Sequence, residues 1–576
     1  MRYLLAVVTA LCLIFPPLQS AAQEKIDLDL VTKLRSEAKE RSRVMETLGV
    51  LTDEIGPRLT GSPSLVRAGE WTQSKLREWG LQNVHTESFA PFGRSWVLEH
   101  TSLRMVAPEK LDLIAIPKAW TPGTDGPKRA QVIAAKLSND EDLAKWKGKL
   151  ANAIVLIDEA LPNKPRLKPD ANLYTDVQLD ELTKVNFDTQ SDAPLTPRFD
   201  KAKAIKDFAF RKKLMQFIIE EKVLAVLNAS RGEDGTIFVQ GGGSYKTGEP
   251  TGPPNLVLMK ETYNRLYRLV EKKKRVELEL DVKVSFTDEN PAAAISVFGD
   301  IVGSDKKDEF VMLGGHLDSW QSATGATDNG VGVAVSMEAV RMLKAVGFKP
   351  RRTIRIALWG GEEQGLLGSR AYVKQWVAAR PDSTDPKEKE LPSYLRKTMW
   401  PLTLKPQHSK ISAYFNLDNG AGKIRGIFAE NNAAVKPIFE AWLAPFHDIG
   451  ATTVSLRNTG STDHVSFDSV GVPGFQFIQD ELDYLSRTHH SNLDVYDKVQ
   501  RGDMIQASLI MAHFVAHAAN RPELLPRKPL PQEPPKDDKP QDNTVQGNDE
   551  PKAEPKVEPK VEQKADHKAD QKSDQK

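Results

Sequence analysis

A short apolar run that ends in a histidine and two acids constrains this chain more than any other feature. Residues 311–328 read VMLGGHLDSWQSATGATD, so His316, Asp318 and Asp328 follow the run closely. A strand with such groups at its carboxyl end is typical of a site in an open α/β sheet. Imidazole and carboxylate are ligands that suit zinc. Three later stretches, WGGEEQ, NLDNG and HHSNLD, add further acids and histidines, and we expect all four to meet in space.

The chain around these stretches alternates between strand and helix patterns. The predicted strands cover residues 310–314, 353–359 and 412–417, and the predicted helices cover residues 329–346, 363–377 and 503–517. This alternation indicates an α/β fold with a mostly parallel, mixed central sheet and helices on both faces.

The length of 576 residues predicts more than one domain. Residues 119–286 interrupt the alternation with short β-type runs, which indicates a β-rich domain inserted into a catalytic domain of residues 23–118 and 287–521. A long elaboration of one domain is the alternative. The glycines at 241–243 lack the lysine and helix of a P-loop, so they favour a flexible turn. Residues 522–576 are rich in Pro, Lys and Glu, which predicts a disordered tail.

The first residues have the pattern of a secretory signal. Arg2, an apolar run at 3–15 and small residues at 20–22 predict a signal peptide over residues 1–22, and hence a secreted or periplasmic protein. A retained membrane anchor is the alternative, although the run is short for a bilayer. Cys12 is the only cysteine, so the processed chain would hold a metal through histidines and carboxylates alone.

Each chemical group also has a structural explanation when it is taken singly. Asp328 could cap a helix, Glu362 and Glu363 could complement a helix dipole, and Asp418 could belong to a turn. Taken together, acids and histidines at four successive strand ends predict a two-metal hydrolase site. In such a site one of the paired glutamates binds metal and the other takes a proton from water, while Asp318 orients the ring of His316.

The motifs GGHLDSW, GATDNG, WGGEEQGLLGS, NLDNG and HHSNLD resemble those of the co-catalytic di-zinc aminopeptidase family of clan MH metallopeptidases, including its carboxypeptidase Q-like members. Residues 119–286 resemble the protease-associated domain that many members carry. The resemblance implies the zinc-exopeptidase fold and two Zn²⁺ ions per chain. It also implies a set of roles, with the pairing of acids and histidines left open: metal ligands His316, Asp328 (bridging), Glu363, Asp418 and His490, general base Glu362, and support of His316 by Asp318. The peptide bond after Asp328 is expected to be cis.

Two positions depart from the family pattern or fit it loosely. Many relatives have a tyrosine directly before the last histidine ligand, whereas this chain has His489. The oxyanion donor is therefore His489 or another group, with Tyr484 or Tyr496 as candidates. Asp463 and His464 lie in a Ser-Thr-Asp-His sequence that resembles a family loop, and they are expected to shape the pocket or contact substrate.

The sequence thus predicts a secreted zinc metallopeptidase, most simply an aminopeptidase or dipeptidase acting on peptides. A carboxypeptidase-type exopeptidase, a glutaminyl cyclase-like enzyme and a catalytically inactive relative are the alternatives. Lys and Arg number 79 against 78 for Asp and Glu, which favours neither nucleic acid nor an acidic membrane as a partner. No integral membrane span is expected after signal cleavage, and the sequence is compatible with a homodimer.

Overall fold

A computed structural model describes residues 24–163, 165–184, 200–287 and 291–534. The predicted signal peptide and most of the predicted tail lie outside these residues. The described α-helices are α1 (Leu28–Arg41), α2 (Val44–Gly49), α3 (Pro63–Glu78), α4 (Asp140–Trp146), α5 (Asp176–Thr183), α6 (Lys201–Glu220), α7 (Lys260–Glu271), α8 (Val331–Ala345), α9 (Leu367–Tyr372), α10 (Pro386–Glu390), α11 (Lys436–Leu443), α12 (His464–Asp468) and α13 (Arg501–Asn520).

The described strands are β1 (Gln82–Ser88), β2 (Ser95–Ala107), β3 (Leu111–Leu113), β4 (Ala115–Pro117), β5 (Lys128–Ala134), β6 (Ile154–Leu156), β7 (Ala225–Ala229), β8 (Asn255–Leu258), β9 (Glu277–Thr287), β10 (Ile295–Ile301), β11 (Lys306–His316), β12 (Arg352–Trp359), β13 (Ala378–Ala379), β14 (Thr403–Leu404), β15 (Ile411–Asn416), β16 (Ile424–Phe428), β17 (Thr453–Ser455) and β18 (Gly474–Gln479). Apart from the short β13–β14 pair, they form two sheets of eight strands.

The central sheet has the order β1-β10-β12-β11-β15-β18-β16-β17. Its middle strands β12, β11, β15 and β18 run parallel, and antiparallel pairs flank them. The predicted mixed, mostly parallel sheet is therefore confirmed. The predicted helix at 363–377 begins later than expected, at Leu367, because two glycines and the acidic pair form a turn after β12.

Side chains along the middle strands alternate between two hydrophobic cores. Val311 and Leu313 pack with α1, α2, α8 and α13, whereas Met312 between them packs with Tyr372 and Phe467 on the other face. Successive residues of a strand point to opposite faces. Helices therefore cover both faces of the sheet, as the apolar runs of these strands predicted.

The second sheet has the order β3-β2-β9-β5-β6-β7-β8-β4 and uses residues 95–287. It begins before the predicted insert boundary at residue 119, because β2 pairs along its length with β9. Its β5 to β8 half is parallel and has helices on both faces, so this region is less purely β than expected. Residues up to Pro531 form one compact unit that holds both sheets, and the division into domains stays a prediction.

None of the described helices combines the length and the apolarity that a membrane span requires.

Candidate metal centre

The carboxyl ends of three neighbouring parallel strands bring the predicted groups to one edge of the central sheet. His316, the last residue of β11, pairs with Trp359 at the end of β12. On the other side of β11, Gly314 pairs with Asn416 at the end of β15. Glu362 and Glu363 follow β12 after two glycines and Asp418 comes two residues after β15, so the register brings these acids to the edge that carries His316.

The first group of candidate ligands surrounds the ring of His316. Its Nε2 lies 3.2 Å from Oδ1 of Asp328 and 3.3 Å from Oδ1 of Asp418. All three side chains are buried, and their ligand atoms lie within 4.8 Å of one another. This is an arrangement of imidazole and carboxylate that could hold a metal ion.

The second group surrounds His490 and shares Asp328 with the first. Nε2 of His490 lies 3.0 Å from Oδ2 of Asp328 and 3.0 Å from Oε2 of Glu363. The two oxygens of Asp328 therefore face different histidines, as a bridging carboxylate would require. Nε2 of His489 is farther from Asp328, at 3.8 Å, although His489 can also form a metal group with Asp328 and His490.

The electrostatics of the site are strongly anionic. Burial opposes a charged ring at His490, but Glu363 and Asp328 outweigh it and raise the pKa of His490 to about 10. Burial raises the pKa of Glu363 to about 7 and that of Glu362 well above its ordinary value. By contrast, burial and the neighbouring His490 lower the pKa of His489 to about 4. Acids crowded at this density favour a cation among them.

Two buried carboxylate oxygens show that the residues fit metal ions. Within the described residues, Oε1 of Glu363 receives no hydrogen bond, and Oδ2 of Asp328 is also left without one although it faces Nε2 of His490 at 3.0 Å. A buried carboxylate oxygen without a donor is costly, whereas a divalent cation would satisfy it. The available donors are imidazole nitrogens and carboxylate oxygens, a set that suits zinc.

Asp318 supports the site differently from the prediction. The Nδ1 of His316 contacts the backbone oxygen of Asp318 at 2.9 Å, and the carboxylate is more distant at 3.6 Å. The carboxylate instead accepts hydrogen bonds from the backbone N–H groups of Glu362 at 3.2 Å and Glu363 at 3.3 Å, and from the hydroxyl of Thr60 at 2.8 Å. Asp318 therefore holds the acidic pair, while its main chain orients the histidine.

Asp494, the last residue of the HHSNLD motif, holds the bridging residue, a role that the sequence did not assign to it. Its carboxylate accepts hydrogen bonds from the backbone N–H of Thr327 at 2.5 Å and of Asp328 at 3.2 Å. The bond between Asp328 and Asn329 is cis, as expected. The motif that contains Asp494 was visible in the sequence, but its contact with residues more than 160 positions away needed the structure.

Arg58 is a second residue that the sequence did not single out. Its side chain is fully buried and donates to the carbonyls of Leu317, Thr324 and Gly325 at 2.7–2.8 Å. These carbonyls belong to the segment between His316 and Asp328. No sequence signal pointed to Arg58, because main-chain acceptors leave no pattern in side chains.

The candidate oxyanion donors lie beside the second group. Tyr484 is buried, its ring packs against His489 at 4.9 Å, and burial raises its pKa well above its ordinary value. Asp463 is also buried, and its pKa is raised to about 7 by burial. His464 is directed elsewhere, with Nε2 3.3 Å from the carbonyl oxygen of Thr459.

Comparison with known proteins assigns the residues that carry this centre to a family. Residues 296–515, which include every candidate ligand, match the family model for peptidase family M28. These residues form a peptidase family M28 domain. Carboxypeptidase Q from Bos taurus is 25% identical over 492 residues, which cover 85% of this chain and 88% of that protein.

Solved structures agree on the fold of this chain. A peptidase M28 precursor from Shewanella amazonensis superposes with a TM-score of 0.60 at 23% identity, covering 88% of this chain and 99% of that one. A zinc aminopeptidase from Bacillus subtilis gives a TM-score of 0.50 at 19% identity, covering 84% and 95%. The predicted fold class and the predicted enzyme class, a zinc metallopeptidase, are confirmed.

Proposed function

We propose that this M28 chain is an exported exopeptidase that holds two zinc ions and cleaves the first residue from peptides or dipeptides. The observation that supports it most is the position of Asp328, whose two oxygens face the two histidines. His316, Asp328 and Asp418 would hold one ion, and His490, Asp328 and Glu363 the other. Bound zinc supplies Lewis-acid activation of water and of the scissile carbonyl.

Glu362 is the general base of the proposed reaction. Among the described residues, Glu363 pairs with His490 at 3.0 Å, whereas Glu362 makes no ion pair with either His316 or His490. Its backbone is fixed by Asp318, and burial holds its pKa well above its ordinary value. A carboxylate of raised pKa can accept a proton from the attacking water and return it to the leaving amine. Tyr484 and His489, which pack against each other beside the second group, are the proposed donors to the oxyanion.

Replacing Glu362 separates the base from the ligands. Glu362→Gln keeps the size of the side chain, so we expect two zinc ions to bind as in the wild type while kcat falls about 10²–10⁴-fold. Zinc content by mass spectrometry and steady-state rates measure the two effects. Glu70→Gln, at an exposed position of α3, is the matched control. A Glu362→Gln chain with normal turnover would contradict the assignment.

Substrates with blocked ends distinguish the kinds of exopeptidase. An aminopeptidase cleaves a dipeptide amide and spares an N-acetyl dipeptide, a dipeptidase needs both ends free, and a carboxypeptidase cleaves the N-acetyl dipeptide. The similarity to carboxypeptidase Q keeps the last type as the second candidate. Each reaction should stop with a chelator and return with zinc. Sequencing the amino terminus of the exported chain tests cleavage after residue 22.

A further inference from the structure

A segment of the second sheet region, residues 237–243, contacts the loop that carries His490, and we call it the strap. It lies in the connection between β7 and β8, far in sequence from every candidate ligand. The backbone N–H of Val239 donates to the carbonyl of His490 at 2.9 Å, and Asn492 donates to the carbonyl of Ile237 at 3.1 Å. The strap is therefore paired with the loop that carries His490.

The other edge of the strap is tied to the residues after β4. Ala119 donates to the carbonyl of Gln240 at 3.1 Å, and Gly242 donates to the carbonyl of Ala119 at 2.9 Å. A Cβ on Gly243 would lie 1.8 Å from the carbonyl oxygen of Trp120. The glycine run, expected to be a flexible turn, is thus needed for close packing, and it fixes the strap between two parts of the chain.

Gln240 carries the contact that concerns the metal. Its side-chain amide lies 2.8 Å from Nδ1 of His490. The other nitrogen of that ring, Nε2, faces Asp328 and Glu363. When Nε2 binds a cation, Nδ1 must carry the proton and needs an acceptor. A half-turn of the amide places the oxygen of Gln240 where its nitrogen now lies, so the residue can supply that acceptor.

We propose that Gln240 is a positioning residue for the second metal ion, acting through His490. By accepting the hydrogen bond from Nδ1, it fixes the tautomer and the direction of the ring. This role rests on the proposed di-zinc function. It also makes the two ions unequal, because the corresponding nitrogen of His316 is held by the main chain of Asp318 within its own domain. Loss of Gln240 should therefore weaken one ion and spare the other.

Zinc titration of the metal-free full chain tests this role without relying on activity. In Gln240→Leu, which cannot accept a hydrogen bond, we expect one of two zinc ions to bind about 10–100-fold more weakly. In Gln240→Glu, a carboxylate accepts the Nδ1 proton more strongly, so both ions should bind at least as tightly as in the wild type. Gln321→Leu is the control, because Gln321 contacts the carbonyl of Gln240 and not His490.

The outcomes separate the inference from the function beneath it. Two ions bound by Gln240→Leu at wild-type affinity would overturn the role of Gln240. Equal loss of affinity for both ions in Gln240→Leu would also overturn it. The same holds if Gln240→Glu binds zinc as weakly as Gln240→Leu, because either result indicates general damage to the strap and not loss of a hydrogen-bond acceptor. A wild-type chain that binds fewer than two ions refutes the di-zinc function itself, and the inference falls with it.

Discussion

Removing the guanidinium of Arg58 should cost the chain a large part of its stability. Arg58 is fully buried, and its guanidinium donates five hydrogen bonds, all to backbone carbonyls. Burial lowers its pKa to about 10, so it still carries its charge at neutral pH. Arg58→Met keeps much of the apolar stem and removes every donor, which isolates the hydrogen bonding from the packing.

The magnitude follows from the three shortest bonds, to Leu317, Thr324 and Gly325. A buried acceptor left without a donor costs about 1–3 kcal/mol, so three give about 3–9 kcal/mol before relaxation or water entry reduces the loss. We expect Arg58→Met to lower the free energy of unfolding by at least about 3 kcal/mol. Arg58→Lys should lose about half as much, because an ammonium still donates to some of these carbonyls.

Urea unfolding of the zinc-free chain measures this change without a contribution from metal binding. Arg67→Met is the matched control, because Arg67 is exposed and its bonds to Ile55 and Ser64 are solvated. We expect the control to change the stability by less than about 0.5 kcal/mol. If the free energy of unfolding of Arg58→Met lies within about 1 kcal/mol of that of the control, the carbonyls have other donors and the reasoning is refuted.

Three further changes test other contacts. Burial would raise the pKa of Glu37, but hydrogen bonds from two arginines outweigh it and lower the pKa. Glu37→Gln should therefore lower the free energy of unfolding by about 1–2 kcal/mol at pH 7. Since the folded pKa is depressed, the difference should shrink as the pH falls below about 4, as urea midpoints would show. Gly243→Ala should cost about 1–3 kcal/mol through its clash with Trp120, whereas Gly502→Ala, where a Cβ meets open space, should be neutral in thermal unfolding. Asp318→Asn should reduce kcat/KM about 10–100-fold by loosening the acidic pair, and unchanged kinetics would contradict that role.

The sequence was most informative where a side chain follows a predicted strand. His316, Glu363 and Asp418 come to one edge because parallel strands in a sheet end together, and a period-2 apolar pattern reveals the strands. That reasoning predicted the central sheet and the meeting of these groups. The choice of His490 over His489 came from the family resemblance instead, because a loop after the last strand has no period to orient its side chains.

Residues that act through the main chain were hardest to predict. Arg58 binds carbonyls, and carbonyls are present in every residue, so its spacing from the metal groups carried no signal. Gln240 lies 250 residues before His490, in a region whose own fold gives no indication of which loop approaches the centre. The carboxylate of Asp318 was expected at a ring and was found at two backbone N–H groups, because a strand pattern does not show where the next turn passes.

The pairing of Gly314 with Asn416 has a consequence for redesign of this scaffold. Adding or deleting one residue inside β11 or β15 would turn the following side chains to the opposite face, so His316 or Asp418 would be carried away from its neighbours. Residues 380–402 lie outside both strands, in the connection between β12 and β15, so length changes there do not alter that register. Peptides or tags grafted there should therefore leave His316 and Asp418 in position.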